Sequence, residues 1–166
     1  MKIREANLSD ASGIGKVHVN SWRTTYKGIV PDEYLNNMTY EKRAKLWEQN
    51  MSAQDQYIIV AESDSGQIVG FASGGKRETN VHENAGDLTS IYILEEFQGQ
   101  GVGTQLMKEM FAYFRTVGYD TIFVEVLKSN ETKFFYEAFG AVQHEAKTIT
   151  IQGKELDLLI YKWTEI

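Results

Sequence analysis

The stretch Gln98-Gly99-Gln100-Gly101-Val102-Gly103-Thr104 decides how this chain reads, because it stands between a β-rich run and an amphipathic helical pattern. Glycine lacks a Cβ, so a backbone rich in it can take positive φ and come close to a ligand. The first N–H groups of the helix after it have no partners within the helix. Such a turn is an anion site. The formal net charge of -6 sharpens the point, since long-range attraction works against an anionic ligand and short-range N–H donors must hold it. The bland alternative is a tight strand-to-helix connection that binds nothing. Two other phosphate turns fall short. A P-loop ends in Gly-Lys-Ser/Thr, which is absent here. A dinucleotide turn wants a glycine-like residue where Thr104 stands and glycines at the strand end, whereas Glu95, Glu96 and Phe97 intervene. Asp120 imitates the ribose-binding acid of that fold, yet too little chain remains beyond it to complete a doubly wound sheet.

Working outward, residues 87–94 supply the strand before the turn. Leu106, Met110, Phe114 and Val117 mark about four turns of helix after it, stopped by Gly118. Residues 121–127 are a β-branched apolar run, followed by a short helix from Ser129 or Asn130 to Phe139, closed by Gly140. Residues 148–151 alternate, turn at Gln152-Gly153, and return through residues 156–163 as a hairpin. Upstream, residues 56–62 and 67–73 flank Ser63-Asp64-Ser65-Gly66 as a second hairpin, with a polar loop around residues 78–84 beyond it. The chain opens with a strand at residues 2–5 and a helix capped by Ser9, whose apolar face carries Ile14, Val17 and Trp22. Pro31 separates it from a second helix beginning after Thr39, where Tyr40, Ala44, Trp47 and Met51 form one buried stripe. Residues 1–166 read as one domain with a mixed α/β sheet.

Composition narrows the classes. With no cysteine, disulfides, thiolate metal sites and a cysteine nucleophile are excluded, and a reducing cytosol is suited. Residues 1–10 hold no apolar leader core, and no segment approaches the ~18 apolar residues of a membrane span, so we expect a cytoplasmic protein with no membrane partner. A pI near 5.1 argues against nucleic acid. The acidic balance leans towards cationic substrates such as amines, although plain solubility explains it equally.

Gln98, Gly101 and Gly103 match the signature of the GNAT superfamily of acyl-CoA N-acyltransferases: Gln or Arg, two residues, Gly, one residue, then Gly or Ala. The chain resembles that family over almost its whole length, including the N-terminal strand and two helices, the central hairpin, and Phe135-Tyr136-Glu137 leading to Gly140. The resemblance implies a mostly antiparallel, splayed central sheet of about seven strands flanked by about four helices. It implies acetyl-CoA as cosubstrate, with no metal. Residues 98–104 (Gln98, Gly99, Gln100, Gly101, Val102, Gly103 and Thr104) would hold the coenzyme pyrophosphate. Ile91, Tyr92 and Ile93 would pair with the pantetheine arm, the Ile93 N–H facing the thioester oxygen.

Tyr136 matches the tyrosine that in many members protonates the departing thiolate; its bland reading is a core aromatic beside Phe135 and Phe139. Asp87, eleven residues before Gln98, stands where some members carry a glutamate acting as general base through water; its bland reading is a strand-end aspartate bonded to turn amides. His82 and Glu125 are reserve bases. The family's asparagine, seven residues before the tyrosine, is replaced by Ser129, with Asn130 one residue late, so either could contact the coenzyme or simply cap a helix. Ala141 replaces a phenylalanine common after the glycine. In similar proteins the first two helices wall the acceptor pocket, which implies Trp22, Arg23 and Tyr26, with Tyr34 beside them, unless these only pack.

The expected activity is therefore direct transfer of acetyl from acetyl-CoA to an amine, a small molecule. A non-catalytic acyl-CoA sensor and a protein N-terminal or lysine acetyltransferase are the alternatives. Homodimers are common among similar proteins, and nothing in the sequence picks out an interface.

Overall fold

The computed structural model describes residues 1–78 and 82–166; residues 79–81 of the expected polar loop lie outside the described residues. The strands are β1 (Lys2–Glu5), β2 (Gln56–Glu62), β3 (Ile68–Lys76), β4 (Ala85–Ile93), β5 (Thr121–Leu127), β6 (Val142–Ile151) and β7 (Lys154–Thr164). The helices are α1 (Ala11–Thr25), α2 (Asp32–Asn36), α3 (Tyr40–Met51), α4 (Val102–Thr116) and α5 (Thr132–Ala138). One sheet of seven strands runs β1-β2-β3-β4-β5-β7-β6. Every neighbouring pair is antiparallel except β4 with β5. None of the described helices is long and apolar enough to cross a membrane.

Helices cover both faces of the N-terminal strands. Phe71 of β3 packs on one face against His18 of α1 and Trp47 of α3, with ring centroids 5.9 and 4.9 Å away. Gly74 of the same strand faces α4, where an added Cβ would come within 2.7 Å of Phe114 and 2.9 Å of Met110. That glycine lets α4 lie close on the sheet. Leu106, Met107, Met110 and Phe114 of α4 are fully buried there. In the β3–β4 ladder the register slips at Ser73, leaving Thr89 as an extra residue on β4. Such a bulge bends the strand and re-aims the residues beyond it.

Several local expectations need correction. The first helix is not capped by Ser9: Asn7 accepts from the Ser9 N–H (3.0 Å), and Asp10 accepts from the Asn7 N–H (2.9 Å), closing a reciprocal box over a short 3₁₀ turn before α1. Asp10, also held by Arg4 at 2.8 and 2.9 Å, supplies the return bond that Ser9 cannot. On α3 only Trp47 of the expected stripe is buried; Tyr40 is exposed and donates to Asn20 at 2.8 Å. Thr39 does cap that helix. The five-residue α2 has no counterpart among the expected elements and is the fifth helix where about four were expected. Val117 closes α4 exposed to solvent, and Gly118 takes φ +89°. α5 begins at Thr132, later than Ser129 or Asn130, because the Asn130 carboxamide oxygen accepts from the Thr132 N–H and holds the preceding residues out of the helix.

His18 lies at the centre of the α1–α3–sheet packing, and its Nδ1 accepts from the Trp47 indole N–H at 3.0 Å. Burial, assisted by Arg43, lowers its pKa to about 3. At pH above the unfolded value of about 6.5 the ring is neutral in both states and pH has no leverage. Between the two values the unfolded chain takes a proton that the native chain refuses, so stability falls as pH falls. Going from about pH 7.5 to about pH 5 should cost about 2 kcal/mol through this group. Urea unfolding at the two pH values measures it, and His18→Gln, which keeps an acceptor for Trp47, should flatten that part of the slope.

Candidate active site

Strands β4 and β5 pair only over Ala85–Asp87 and Thr121–Phe123, then part. The parting opens a cleft of about 470 Å³ between the rest of β4 and Val124, Glu125 and Val126 of β5, with the end of α1, the glycine turn and α5 around it. The backbone of β4 supplies donors along one wall. The Leu94 N–H donates to the Val69 carbonyl across β3 (2.9 Å), which makes Ile93 and Gly70 a pair without mutual hydrogen bonds. By alternation, the N–H groups of Ile93 and Ile91 point away from β3, towards the cleft. The Ile93 carbonyl is already engaged by the Gln98 side-chain amide, which donates to it at 3.0 Å. This bond ties the turn to the strand and leaves the Ile93 N–H open.

The turn continues the wall. The Gln98 N–H is spent on the Glu95 carbonyl at 3.1 Å, and the first helical bond runs from the Gln105 N–H to the Gly101 carbonyl at 3.1 Å. Between them, the amides of residues 99–104 make no hydrogen bond among the described residues. Gly99 and Gly101 take φ +72° and +83°, and a Cβ there would meet nothing, so positive φ is what demands glycine. Gly103 differs: its added Cβ would lie 3.3 Å from both Ile93 and Phe135, so close packing is the constraint. Unpaired amides at a helix N-terminus beside a strand edge with free donors fit a diphosphate followed by an amide-bearing arm.

Three tyrosines meet at the inner end of the cleft. The Tyr26 and Tyr92 hydroxyls are 3.2 Å apart, and Asn130 Nδ2 donates to the Tyr26 hydroxyl at 3.3 Å. Asn130 thereby joins the end of α1 to the start of α5. Tyr136 is buried edge-on against Trp163, and its hydroxyl makes no hydrogen bond among the described residues. Burial, with Tyr26 nearby, pushes the Tyr136 pKa well above the ordinary phenol value, so the group keeps its proton.

Two carboxylates stand where β4 and β5 part. Glu125 lines the cleft, half exposed, with Lys147 Nζ 3.5 Å from its Oε1. Asp87, the last β4 residue paired with β5, is held by Arg77, whose guanidinium lies 4.2 Å over the Phe123 ring. Burial raises the Asp87 pKa against the lowering effect of Arg77.

The structure brings Tyr26, Ile91, Tyr92, Ile93, Gln98, Gly99, Gly101, Gly103, Thr104, Asn130 and Tyr136 to the cleft. It leaves Asp87, Gln100, Val102, Ser129, Trp22 and Arg23 out of the lining. Ser129 is exposed; Val102 is buried in the core; Gln100 bonds the Glu96 carbonyl with its side chain. Trp22 packs on Tyr26 with centroids 4.4 Å apart, and Arg23 donates to the Leu35 and Met38 carbonyls at 3.4 and 2.9 Å. His82 Nε2 lies 3.1 Å from Asp120 and 3.0 Å from Thr121, outside the lining. Thr25, Thr89, Phe97, Thr132 and Phe135 also line the cleft. Phe135 stands in the quoted Phe-Tyr-Glu run, while nothing in the sequence marks the bulge that turns Thr89 inward.

Comparison with known proteins adds four findings. The family model described as the acetyltransferase (GNAT) family matches residues 20–141. N-acetyltransferase YuaI of Bacillus subtilis is 34% identical over 164 residues, covering 99% of this chain and 93% of that protein. Spermidine N(1)-acetyltransferase of Thermoplasma acidophilum is 26% identical, covering 84% and 87%. Among solved structures, the PaiA N-acetyltransferase of Thermoplasma acidophilum in complex with coenzyme A superposes with TM-score 0.74 at 22% identity, over 98% of each chain.

The hydroxyl geometry separates two tyrosines by stability. Tyr26→Phe removes an acceptor for Asn130 and a partner for Tyr92, and should cost about 1–2 kcal/mol in chemical denaturation. Tyr136→Phe removes a hydroxyl with no protein partner and should stay within about 0.5 kcal/mol of the parent.

Proposed function

Because this chain belongs to the acetyltransferase (GNAT) family, and is on that account an acyltransferase, we propose that it transfers the acetyl group of acetyl-coenzyme A directly to a small cationic amine. The observation that carries the reading is that two sets of unpaired donors, the Ile91 and Ile93 amides and those of residues 99–104, share one cleft with the free hydroxyl of Tyr136.

The donors divide by position. The amides of residues 99–104 bind the diphosphate. The β4 amides bind the pantetheine arm, and the Ile93 N–H holds the thioester carbonyl oxygen, where negative charge grows as the amine attacks. When bound, acetyl-coenzyme A supplies the activated acetyl group; a C–N bond forms and the C–S bond breaks. Tyr136 holds a proton at its hydroxyl and gives it to the departing sulfur. Asn130, buried in the lining where Ser129 is not, is the residue of that pair that meets the coenzyme.

An alkylamine is mostly protonated near neutral pH, so a base must take its proton before nitrogen can attack. Glu125 touches the cleft and takes that role, directly or through water. Asp87, held by Arg77 one strand away, sets the local field and is the second carboxylate in line. Glu125 is also the one acidic side chain among the residues lining the cleft, with no Lys or Arg beside it there, which favours a cation over an amino acid carrying a carboxylate. The spermidine specificity in the name of one relative agrees with that choice.

Steady-state assays of thiol release against a panel of diamines, polyamines, amino acids and peptides test the proposal. Turnover should appear with cationic amines. Tyr136→Phe should lower kcat by about 10²–10³ with the KM for acetyl-coenzyme A within about threefold. Glu125→Gln should lower kcat/KM for the amine by at least about tenfold, and Asp87→Asn by less. Tight coenzyme binding without turnover on any amine would favour a sensor and overturn the proposal.

A further inference from the structure

A second cavity, of about 610 Å³, lies outside the cleft, where the later turns of α4 and the end of α5 meet the last residues of β7. No residue lines both spaces. Arg115, in its lining, stands thirteen residues beyond Val102 on α4, about 20 Å along the helix axis from the unpaired amides of the first turn.

The apolar part of the wall is aromatic. Lys108, Phe111 and Arg115 follow at steps of three and four along one face of α4, so the two cations flank the ring. Phe111 meets Trp163 of β7 edge-on at 5.1 Å, and the Trp163 indole N–H donates to the Phe139 carbonyl at 3.2 Å. Trp163 also lies edge-on against Tyr136, with ring centroids 5.8 Å apart, so this one contact separates the cavity from the cleft.

Its charge runs against that of the chain. The sequence carries 23 acidic and 17 basic residues, yet the lining holds Lys108, Arg115 and Lys162 and no acidic side chain. Among the described residues none of these three makes an ion pair or a side-chain hydrogen bond. The guanidinium groups of Arg4, Arg23 and Arg77, by contrast, are spent on carboxylates or carbonyls. That of Arg115 lies 5.9 Å over the Phe111 ring. Like charges gathered without a counter-ion repel one another, so an entering anion relieves repulsion as well as adding attraction. An arginine fork fits phosphate oxygens, and rings beside it take an apolar body out of water. Two negative charges balance three cations more closely than the single charge of a carboxylate.

We propose that this cavity binds a phosphate monoester borne on an aromatic or apolar body, with Lys108 and Arg115 on the phosphate oxygens, Lys162 adding to the field, and Phe111, Phe139 and Trp163 against the body. The site is separate from the cleft and does not depend on the reaction run there.

A nitrogen-15 NMR titration of the full chain with phenyl phosphate tests it, at about pH 7.5, where the ester is mostly a dianion. The three tryptophans give three indole N–H signals, and Trp163→Phe identifies the one in the cavity. Phenyl phosphate should move the Trp163 signal and leave those of Trp22 and Trp47, with a Kd below about 1 mM. Inorganic phosphate and benzyl alcohol, each carrying only one half of the recognised chemistry, should bind at least about tenfold more weakly. Lys108→Glu with Arg115→Glu should weaken phenyl phosphate by at least about tenfold. Lys42→Glu with Lys45→Glu, at exposed positions of α3, changes the net charge equally and should leave the Kd within about threefold of the parent. Circular dichroism checks that both variants are folded. Coenzyme A at a concentration that fills the cleft should leave the titration unchanged, and binding is read whether or not any amine is turned over. A Trp163 signal that stays still, binding that survives the reversal at Lys108 and Arg115 or is lost equally on reversal at Lys42 and Lys45, a half that binds as tightly as the whole, or displacement by coenzyme A overturns the proposal.

Discussion

The pairing of β4 with β5 ends after three residues on each strand, and the site exists because of that parting. A strand inside a sheet spends its amides on both neighbours. Beyond Asp87, β4 keeps only β3, so the donors on its other side face a cleft instead of a ladder. An open edge of this kind costs free energy unless water or a ligand satisfies it. The bulge at Thr89 and the glycine turn at the strand's end are the local devices that permit it. One bends β4 away, and the other carries the chain into α4 without covering the edge.

Holding two half-sheets apart requires bracing on both sides of the gap. Asn130 does this from α5 to α1 through Tyr26, which in turn meets Tyr92 on β4. Burial raises the pKa of both tyrosines, more strongly for Tyr92, so neither hydroxyl gives up the proton that the link needs. On the far side of the sheet, Gly74 lets α4 settle onto β3, which fixes the helix whose first turn carries the unpaired amides. The brace and the site are thus one construction: α4, α5 and the end of α1 are each anchored by a contact within a few residues of the cleft.

Much of this is legible in the sequence, and the reasons differ by element. The glycine turn can be read because positive φ at Gly99 and Gly101 is a requirement that few other residues meet. The strand at residues 121–127 and the hairpin turn at Gln152-Gly153 can be read because β-branched runs and turn chemistry are local signals. The helical stripe on α3 cannot, since three of its four expected members lie at the rim and the period says nothing about which turns of a helix find a partner. The cap at Asn7 escapes a local reading because the reciprocal bond depends on Asp10, whose direction is set by Arg4 from another strand. For the site, the roles of Asp87 and Glu125 hinge on a split in the sheet that no single strand encodes. Both carboxylates look alike in sequence, and only the parting after Phe123 puts one in the cleft and the other against Arg77.

A weaker acid gives up its proton less readily, so the raised pKa of Tyr136 would count against a proton donor if its cause were set aside. The cause decides the matter. Burial raises the value because a phenolate is poorly solvated there. A thiolate released in the same cleft suffers the same penalty. Passing the proton from oxygen to sulfur moves one negative charge between neighbouring buried sites, so the desolvation cost largely cancels and the intrinsic gap between phenol and thiol, about 1.5 pKa units, is what remains. That is about 2 kcal/mol uphill for complete transfer, small beside the stabilisation of a sulfur that departs with a proton rather than as a bare anion. Burial also keeps the proton on Tyr136 until the sulfur departs, so the donor is in place before the C–S bond breaks.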